Sequence, residues 1–332
     1  MPSAKNKIRW GVLGYARIAR ESVIPAMVRS YNAEFSALAS REPGKLAESR
    51  TRFGHAHRLH GSYEALLADP NIDAVYIPLP NSLHHEWTLT AAAAGKHVLC
   101  EKPLALNAAQ CRGMIAAAAQ HKVLLMEAFM YRFTGRTAQV VDLVRSGVLG
   151  ELRFVQSSFR FLLNNPASIK LRPELGGGAL YDVGCYPINF IGMIADLLEG
   201  GTAKARPVSL STECVREGGV DMIFSANLRY ASGLIGSLHT GLNAHKRVHS
   251  EIIGTKGILE IPDTFFDNPA PMTLRLGEDV QEIPVEPCAR YVLEVESFSN
   301  SLLNGQPAAF SLDETLRNAE VLDALMEDSL RK

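Results

Sequence analysis

The sequence predicts an α/β chain in two parts: an N-terminal doubly wound parallel sheet, then an α+β domain on an open, mainly antiparallel sheet. Three observations predict it. Up to residue 126, short apolar runs alternate with helical stretches, as parallel strands do when helices cover both faces. Beyond that, strand-like stretches follow one another without intervening helices, the mark of antiparallel neighbours. The chain of 332 residues is also too long for one core, so two domains are expected, 1–126 and 127–332.

In the first part, residues 8–13, 35–39, 74–77, 97–100 and 123–126 read as strands. Residues 18–30, 43–53, 86–94 and 108–121 read as helices. Right-handed crossovers through this order give a Rossmann-type sheet. In the second part, a helix over 137–146 stops at Gly147, and one over 179–198 is interrupted by Pro187. Strands are expected at 152–161, 208–216, 221–230, 234–240, 249–253 and 258–261, with closing helices over 292–303 and 313–330. The linker falls near 126–134.

A hydrophobic fraction of 47% and a charged fraction of 21% mark an ordinary soluble globular chain. Its net charge of -1 offers no basic field to nucleic acid or anionic lipid. The five cysteines (Cys100, Cys111, Cys185, Cys214, Cys288) make no disulfide framework and have no metal-ligand spacing. Reduced thiols in a reducing compartment are expected. Met1–Lys7 is polar, without the apolar core of a signal peptide, and no run approaches the roughly 18 apolar residues of a membrane span. These observations predict a cytoplasmic protein with no metal, nucleic-acid or membrane partner.

Gly14-Tyr15-Ala16-Arg17-Ile18-Ala19 follows a strand and opens a helix, the context in which a glycine turn cradles a dinucleotide pyrophosphate. Gly14 permits the tight turn; Ala16 departs from the second glycine of the usual pattern. At the end of the second strand an NAD site usually carries an acidic residue for the ribose hydroxyls. Here Ser40 and Arg41 stand instead, a hydroxyl and a guanidinium suited to a 2′-phosphate. NADP(H) is therefore the expected cofactor, with NAD(H) possible. The alternative is a solvated Arg41 paired with Glu42.

Glu101-Lys102-Pro103 closes a strand at its carboxyl end, where ligands bind in parallel sheets. Lys102 is either a surface charge or a substrate-facing donor, and Glu101 is a candidate to orient it. Farther on, Gly176-Gly177-Gly178 lets a loop pass close to a ligand and enter a helix. That helix carries Asp182 and Tyr186 four apart, so that their side chains project together. A phenol with a pKa near 10 needs a cation to take a proton at neutral pH, and Lys102 is the candidate. A tyrosine and an aspartate packed at a helix start would look the same if they stood alone.

The turn at Gly14, Glu101-Lys102-Pro103 and G-G-G-A-L-Y-D-V-G-C-Y from Gly176 to Tyr186 together resemble the glucose–fructose oxidoreductase/inositol dehydrogenase (Gfo/Idh/MocA) family over nearly the whole chain. Tyr186, where inositol dehydrogenase-like members carry histidine, resembles the branch holding dimeric dihydrodiol dehydrogenase and D-xylose dehydrogenase. The stretches 77–84 and 127–133 do so too. The resemblance implies that Pro80, Asn81, His84, Glu101 and Lys102 line the nicotinamide side, and that Lys102, Asp182 and Tyr186 are catalytic. Arg132 is expected to reach cofactor or substrate, or to pair with Glu127.

The resulting expectation is an NADP-preferring dehydrogenase acting on a small-molecule carbohydrate or cyclic polyol. Its foremost reaction would be oxidation of C1 of an aldopyranose of the xylose or glucose type to the lactone. The alternatives are reduction of a ketosugar or dicarbonyl, or trans-dihydrodiol oxidation, with the same residues. A non-catalytic dinucleotide sensor would have no reason to keep Lys102 with Tyr186. The resemblance further implies a homodimer or homotetramer assembled through the open face of the C-terminal sheet.

Overall fold

Apolar runs with no polar face must be covered on both sides, and the first sheet is built from such runs. In the computed structural model, which describes residues 6–331, six strands form it: β1 (Ile8–Leu13), β2 (Ala33–Ala39), β3 (Arg58–His60), β4 (Ala74–Ile77), β5 (His97–Glu101) and β6 (Leu125–Ala128). The first five residues of the polar stretch Met1–Lys7 lie outside the described residues. All pairings are parallel, in the order β3-β2-β1-β4-β5-β6, so the winding reverses between β1 and β4. Val12 sits opposite Leu38 on one side and Tyr76 on the other. The connecting helices are α1 (Ile24–Arg29), α2 (Pro43–Phe53), α3 (Tyr63–Leu67), α4 (His84–Ala93) and α5 (Ala108–His121). The helix expected over 18–30 is a π-turn, Ala19–Val23, followed by the short α1. The pattern did not reveal β3 or α3, because Arg58-Leu59-His60 carries one apolar residue and no alternation.

The second unit opens with α6 (Gly135–Arg145) and β7 (Leu152–Leu162), and α7 (Cys185–Glu199) runs through its core with residues 185–195 all buried. Then come β8 (Ser209–Glu217), β9 (Val220–Arg229), β10 (Ile235–Gly241), β11 (Asn243–Gly254), β12 (Ile258–Pro262), β13 (Met272–Leu276) and β14 (Asp279–Ile283). The sheet order is β14-β13-β12-β11-β7-β10-β9-β8, antiparallel except for the β7/β10 pair. The edge hairpin β13–β14 was not among the expected strands: β13 does alternate, with Met272 and Leu274 buried, but it is short, and its partner β14 is largely polar and exposed.

Two helices close the chain, α8 (Arg290–Asn304) and α9 (Leu312–Leu330). They part company. The compact units are residues up to Ala105 with Ala109–Met130 and Ala289–Leu312, and Leu106–Ala108 with Tyr131–Cys288 and the residues from Asp313 onward. The break expected after residue 126 falls inside β6, and the first unit also takes in α8. That helix joins the parallel sheet because its Phe298 packs on Trp10, with ring centroids 5.1 Å apart, and the Trp10 indole N–H donates to Ser299 at 3.2 Å. Asn32 also donates to the Glu296 carbonyl and the Asn300 side chain.

Candidate active site

Gly14 leaves β1 at φ +94°, a conformation that glycine adopts without strain, and its N–H donates to the Ala39 carbonyl at 2.8 Å. A Cβ at Gly14 would stand 2.9 Å from the Leu79 side chain. Tyr15 is 3% exposed and its hydroxyl is buried without a hydrogen-bond partner. A buried donor in that state carries a desolvation cost that a ligand can relieve. Arg17 is exposed, Ala16 and Ile18 are half-buried, and the turn leads into the π-turn that begins the helix. Such π-turns recur at functional sites.

Ser40 is buried, and its Oγ accepts from the Glu42 N–H at 3.1 Å, which leaves the hydroxyl proton available to donate. Glu42 pairs with Lys45 at 2.6 Å, and the Arg41 guanidinium lies 5.3 Å above the Tyr63 ring. The surface pairing of Arg41 with Glu42 considered from the sequence is thus replaced by stacking. With no carboxylate at the strand end, an unpartnered Tyr15 hydroxyl and a glycine-shaped turn, these residues fit a phosphorylated dinucleotide.

On the nicotinamide side the expected residues have different environments. Pro80 and Asn81 are half-buried at a 3₁₀ turn, Asn81–Leu83. His84 is fully buried, and its two ring nitrogens lie 2.9 Å from the Pro103 and Leu79 carbonyl oxygens. The resemblance assigns His84 to the nicotinamide side, and here its ring is fully enclosed. It braces the loop after β4 against the loop after β5, which a helix-start histidine gives no sign of in sequence. Burial holds its pKa below the ordinary imidazole value. The Lys102–Pro103 bond is cis. Glu101 holds Lys102 through the main chain: one carboxylate oxygen accepts from the Tyr76 hydroxyl at 2.6 Å, the other from the Lys102 N–H at 3.3 Å. Tyr76 and the buried acid Glu294 of α8 are additions the sequence did not signal. Burial, with the Glu101 charge nearby, pushes the Glu294 carboxyl well above its usual range.

In the second unit, Asp182 lies in a π-turn, Leu180–Gly184, and Tyr186 in the first turn of α7. The helix expected over 179–198 starts as a π-turn, and the interruption expected at Pro187 is not seen: Pro187 lies in the first turn of α7, where its missing N–H costs no helical bond. Tyr186 is 6% exposed, with ring centroids 5.2 Å from Phe265, 5.3 Å from Phe159 and 6.2 Å from Tyr131. The loop bearing Phe265 is pinned by Arg136, which donates to the carbonyls of Pro262, Asp263, Asn268 and Ala270. Asp182 pairs with Lys170 at 2.5 Å. Arg132 pairs with Glu314 at 2.8 Å, whereas Glu127 is buried and accepts from the Leu104 N–H.

Gly177 and Gly178 meet protein, not open space. A Cβ on Gly177 would stand 2.6 Å from the Lys170 carbonyl, and one on Gly178 (φ +116°) 2.1 Å from Asp221 Oδ1. Asp221, on β9, accepts from the Leu180 N–H at 2.6 Å and so caps the π-turn from across the sheet.

Residues 8–129 match the model described as the oxidoreductase family with an NAD-binding Rossmann fold, and 137–260 match the GFO/IDH/MocA C-terminal domain. The chain belongs to the Gfo/Idh/MocA oxidoreductase family. This family member is 36% identical to D-xylose 1-dehydrogenase (NADP(+)) 2 of Haloferax volcanii, over 96% of this chain and 97% of that one. It is 30% identical to trans-1,2-dihydrobenzene-1,2-diol dehydrogenase of Xenopus laevis, over 98% and 97%. Its structure is similar to KijD10, a 3-ketoreductase of Actinomadura kijaniata crystallised with NADP and TDP-benzene. There the TM-score is 0.88 and the identity 30%, over 97% of this chain and 98% of that one. The Gfo/Idh/MocA chain is an NAD(P)-dependent oxidoreductase. No helix among the described residues is long and apolar enough to cross a membrane, and no cluster of three or more His, Cys, Asp or Glu among them could hold a metal.

Proposed function

We propose that this protein is an NADP-preferring oxidoreductase that moves a hydride between nicotinamide and a CH–OH group of a sugar or cyclic polyol. C1 of an aldopyranose is the foremost substrate position. The observation that carries this reading is the head of α7, where a buried tyrosine and a carboxylate stand four residues apart behind a closely packed glycine run. Gly14, Tyr15, Ala16, Arg17 and Ile18 bind the pyrophosphate end; Ser40 and Arg41 take the 2′-phosphate. Pro80, Asn81, Glu101 and Lys102 serve the nicotinamide side, with His84 as a brace behind them. When bound, nicotinamide supplies or accepts the hydride.

The chain's own groups handle the proton and the orientation. As the phenolate, Tyr186 would take the hydroxyl proton in oxidation, and as the neutral phenol it would return it in reduction. Its aromatic neighbours exclude water from the ring, which raises the effect of any nearby charge. Lys102 is assigned as the cation that favours the phenolate, and Asp182 accepts from a substrate hydroxyl. The same groups serve the reverse direction, and the 3-ketoreductase name of KijD10 makes ketosugar reduction the second reading. We further infer that copies of the chain pair through the open sheet face, where Phe154, Val215, Ile223 and Val280 stand exposed.

The test follows nicotinamide absorbance across D-xylose, D-glucose, ketosugars and trans-1,2-dihydrobenzene-1,2-diol. Turnover should be faster with NADP than NAD by roughly ten- to a hundredfold in kcat/KM, the worth of a charge-assisted bond to phosphate. Ser40→Asp with Arg41→Ala should reverse that order. An NAD preference in the unmutated protein would defeat the cofactor assignment.

A further inference from the structure

Lys170 lies outside every motif, on the 3₁₀ turn Ile169–Leu171 in the loop between β7 and α7. Its main chain is docked on the glycine run: the Gly178 N–H donates to the Lys170 carbonyl at 2.9 Å, and the Gly177 N–H to the Arg172 carbonyl at 3.0 Å. Leu171 next to it packs on the buried cluster of Ala179, Val183, Val220, Met222 and Leu242. The ammonium sits 5.2 Å above the Phe161 ring, with Nζ 2.5 Å from Asp182 Oδ2. Main chain, neighbouring side chain and aromatic face thus all fix one lysine on one carboxylate. The pair is not sealed: the Lys170 side chain is 33% exposed and that of Asp182 15%.

A solvated ion pair adds little to stability and needs no such positioning. An ammonium carries three N–H donors, and a carboxylate about four lone-pair sites, so each keeps capacity beyond their mutual bond. The pair therefore presents a fixed donor beside a fixed acceptor at the carboxylate already assigned to the substrate. Two hydroxyls on adjacent carbons are its complement, one donating a hydrogen bond to Asp182 and the other accepting one from Lys170. We infer that Lys170 is a specificity-determining residue which, with Asp182, reads a vicinal diol in the substrate. The inference rests on the hydride-transfer reading above and narrows its substrate class to compounds with a hydroxyl next to the reacting carbon.

The experiment compares matched substrates with and without that neighbouring hydroxyl: D-glucose with 2-deoxy-D-glucose, and trans-1,2-cyclohexanediol with cyclohexanol. Wild type should favour the diol of each pair. In Lys170→Met the diol-to-deoxy ratio of kcat/KM should fall about tenfold or more, chiefly through KM, as expected for loss of a charge-assisted bond. Lys170→Arg, which keeps the charge and the main-chain docking, should retain most of the ratio. Tyr186→Phe should slow both members of a pair alike and leave the ratio unchanged. A Lys170→Met protein that loses rate equally on diol and deoxy substrates, or changes neither, makes Lys170 a loop tether and overturns the inference while the hydride-transfer reading stands. A Tyr186→Phe protein of undiminished turnover overturns that reading instead. If wild type turns over none of the four compounds, the inference fails together with the reading it rests on.

Discussion

Two glycine turns of this molecule both feed a helix that opens with a π-turn, yet they are built for opposite ends. Gly14 bends the chain at φ +94° and leaves behind it a buried tyrosine hydroxyl with no partner. The run Gly176–Gly178 turns it too, but at Gly177 and Gly178 the space a side chain would need is filled by the Lys170 carbonyl, Arg172 and Asp221. One turn is left for a ligand to complete; the other is completed by the protein itself. A glycine in a sequence signals close approach without saying of what. Only the packing distinguishes a cradle from a clasp.

If that contrast is right, the clasp should fail structurally when widened. Gly178→Ala combines a left-handed conformation costly to alanine with a methyl on the Asp221 carboxylate, for about 3–5 kcal/mol of destabilisation. Thermal unfolding that leaves the midpoint of this variant at the wild-type value would show the space is not tight. Asp221 sharpens the same point through pH. Burial lifts its carboxyl to about 6. The folded protein then holds a proton there at pH values where the unfolded chain has lost it, so wild-type stability falls as pH rises through that range. Asp221→Asn has no such slope, and between about pH 4 and 7 the stability difference should move in its favour by about 2 kcal/mol. Parallel pH profiles would mean that the buried carboxylate is better compensated than its surroundings suggest. The cradle should respond differently. Gly14→Ala should cost about 1–3 kcal/mol of stability, since the Leu79 side chain can yield, but weaken NADP binding measured by calorimetry. Wild-type affinity in that variant would remove the distinction between the two turns.

Much of this was legible in the sequence. The runs at 8–13, 74–77 and 97–100 form central parallel strands of the first sheet, as their apolar make-up implied, while for the site the sequence offered Gly14, Lys102 and the Asp182/Tyr186 spacing as candidates. What was not legible depends on partners distant along the chain. Nothing local in α8 says that Phe298 will meet Trp10, and nothing near Asp221 says it will cap a helix forty residues earlier. His84 looked like a site residue because of its neighbours, but the two carbonyls that enclose it come from loops after different strands. Lys170 belonged to no pattern, and its place beside Asp182 appears only when the loop around it is folded onto Gly177 and Gly178.

The central claim is that Tyr186 carries the proton that accompanies hydride transfer. Tyr186→Phe keeps the ring among Phe159, Phe265 and Tyr131 and removes only the hydroxyl. Single-turnover formation of NADPH with the best substrate of the sugar and polyol panel measures that step directly. The rate should fall roughly 10²- to 10⁴-fold, the usual worth of a positioned acid–base group, with NADP affinity unchanged. A rate within about twofold of the wild type, with chemistry rate-limiting, would show that Tyr186 only packs the core and that the proton travels another way.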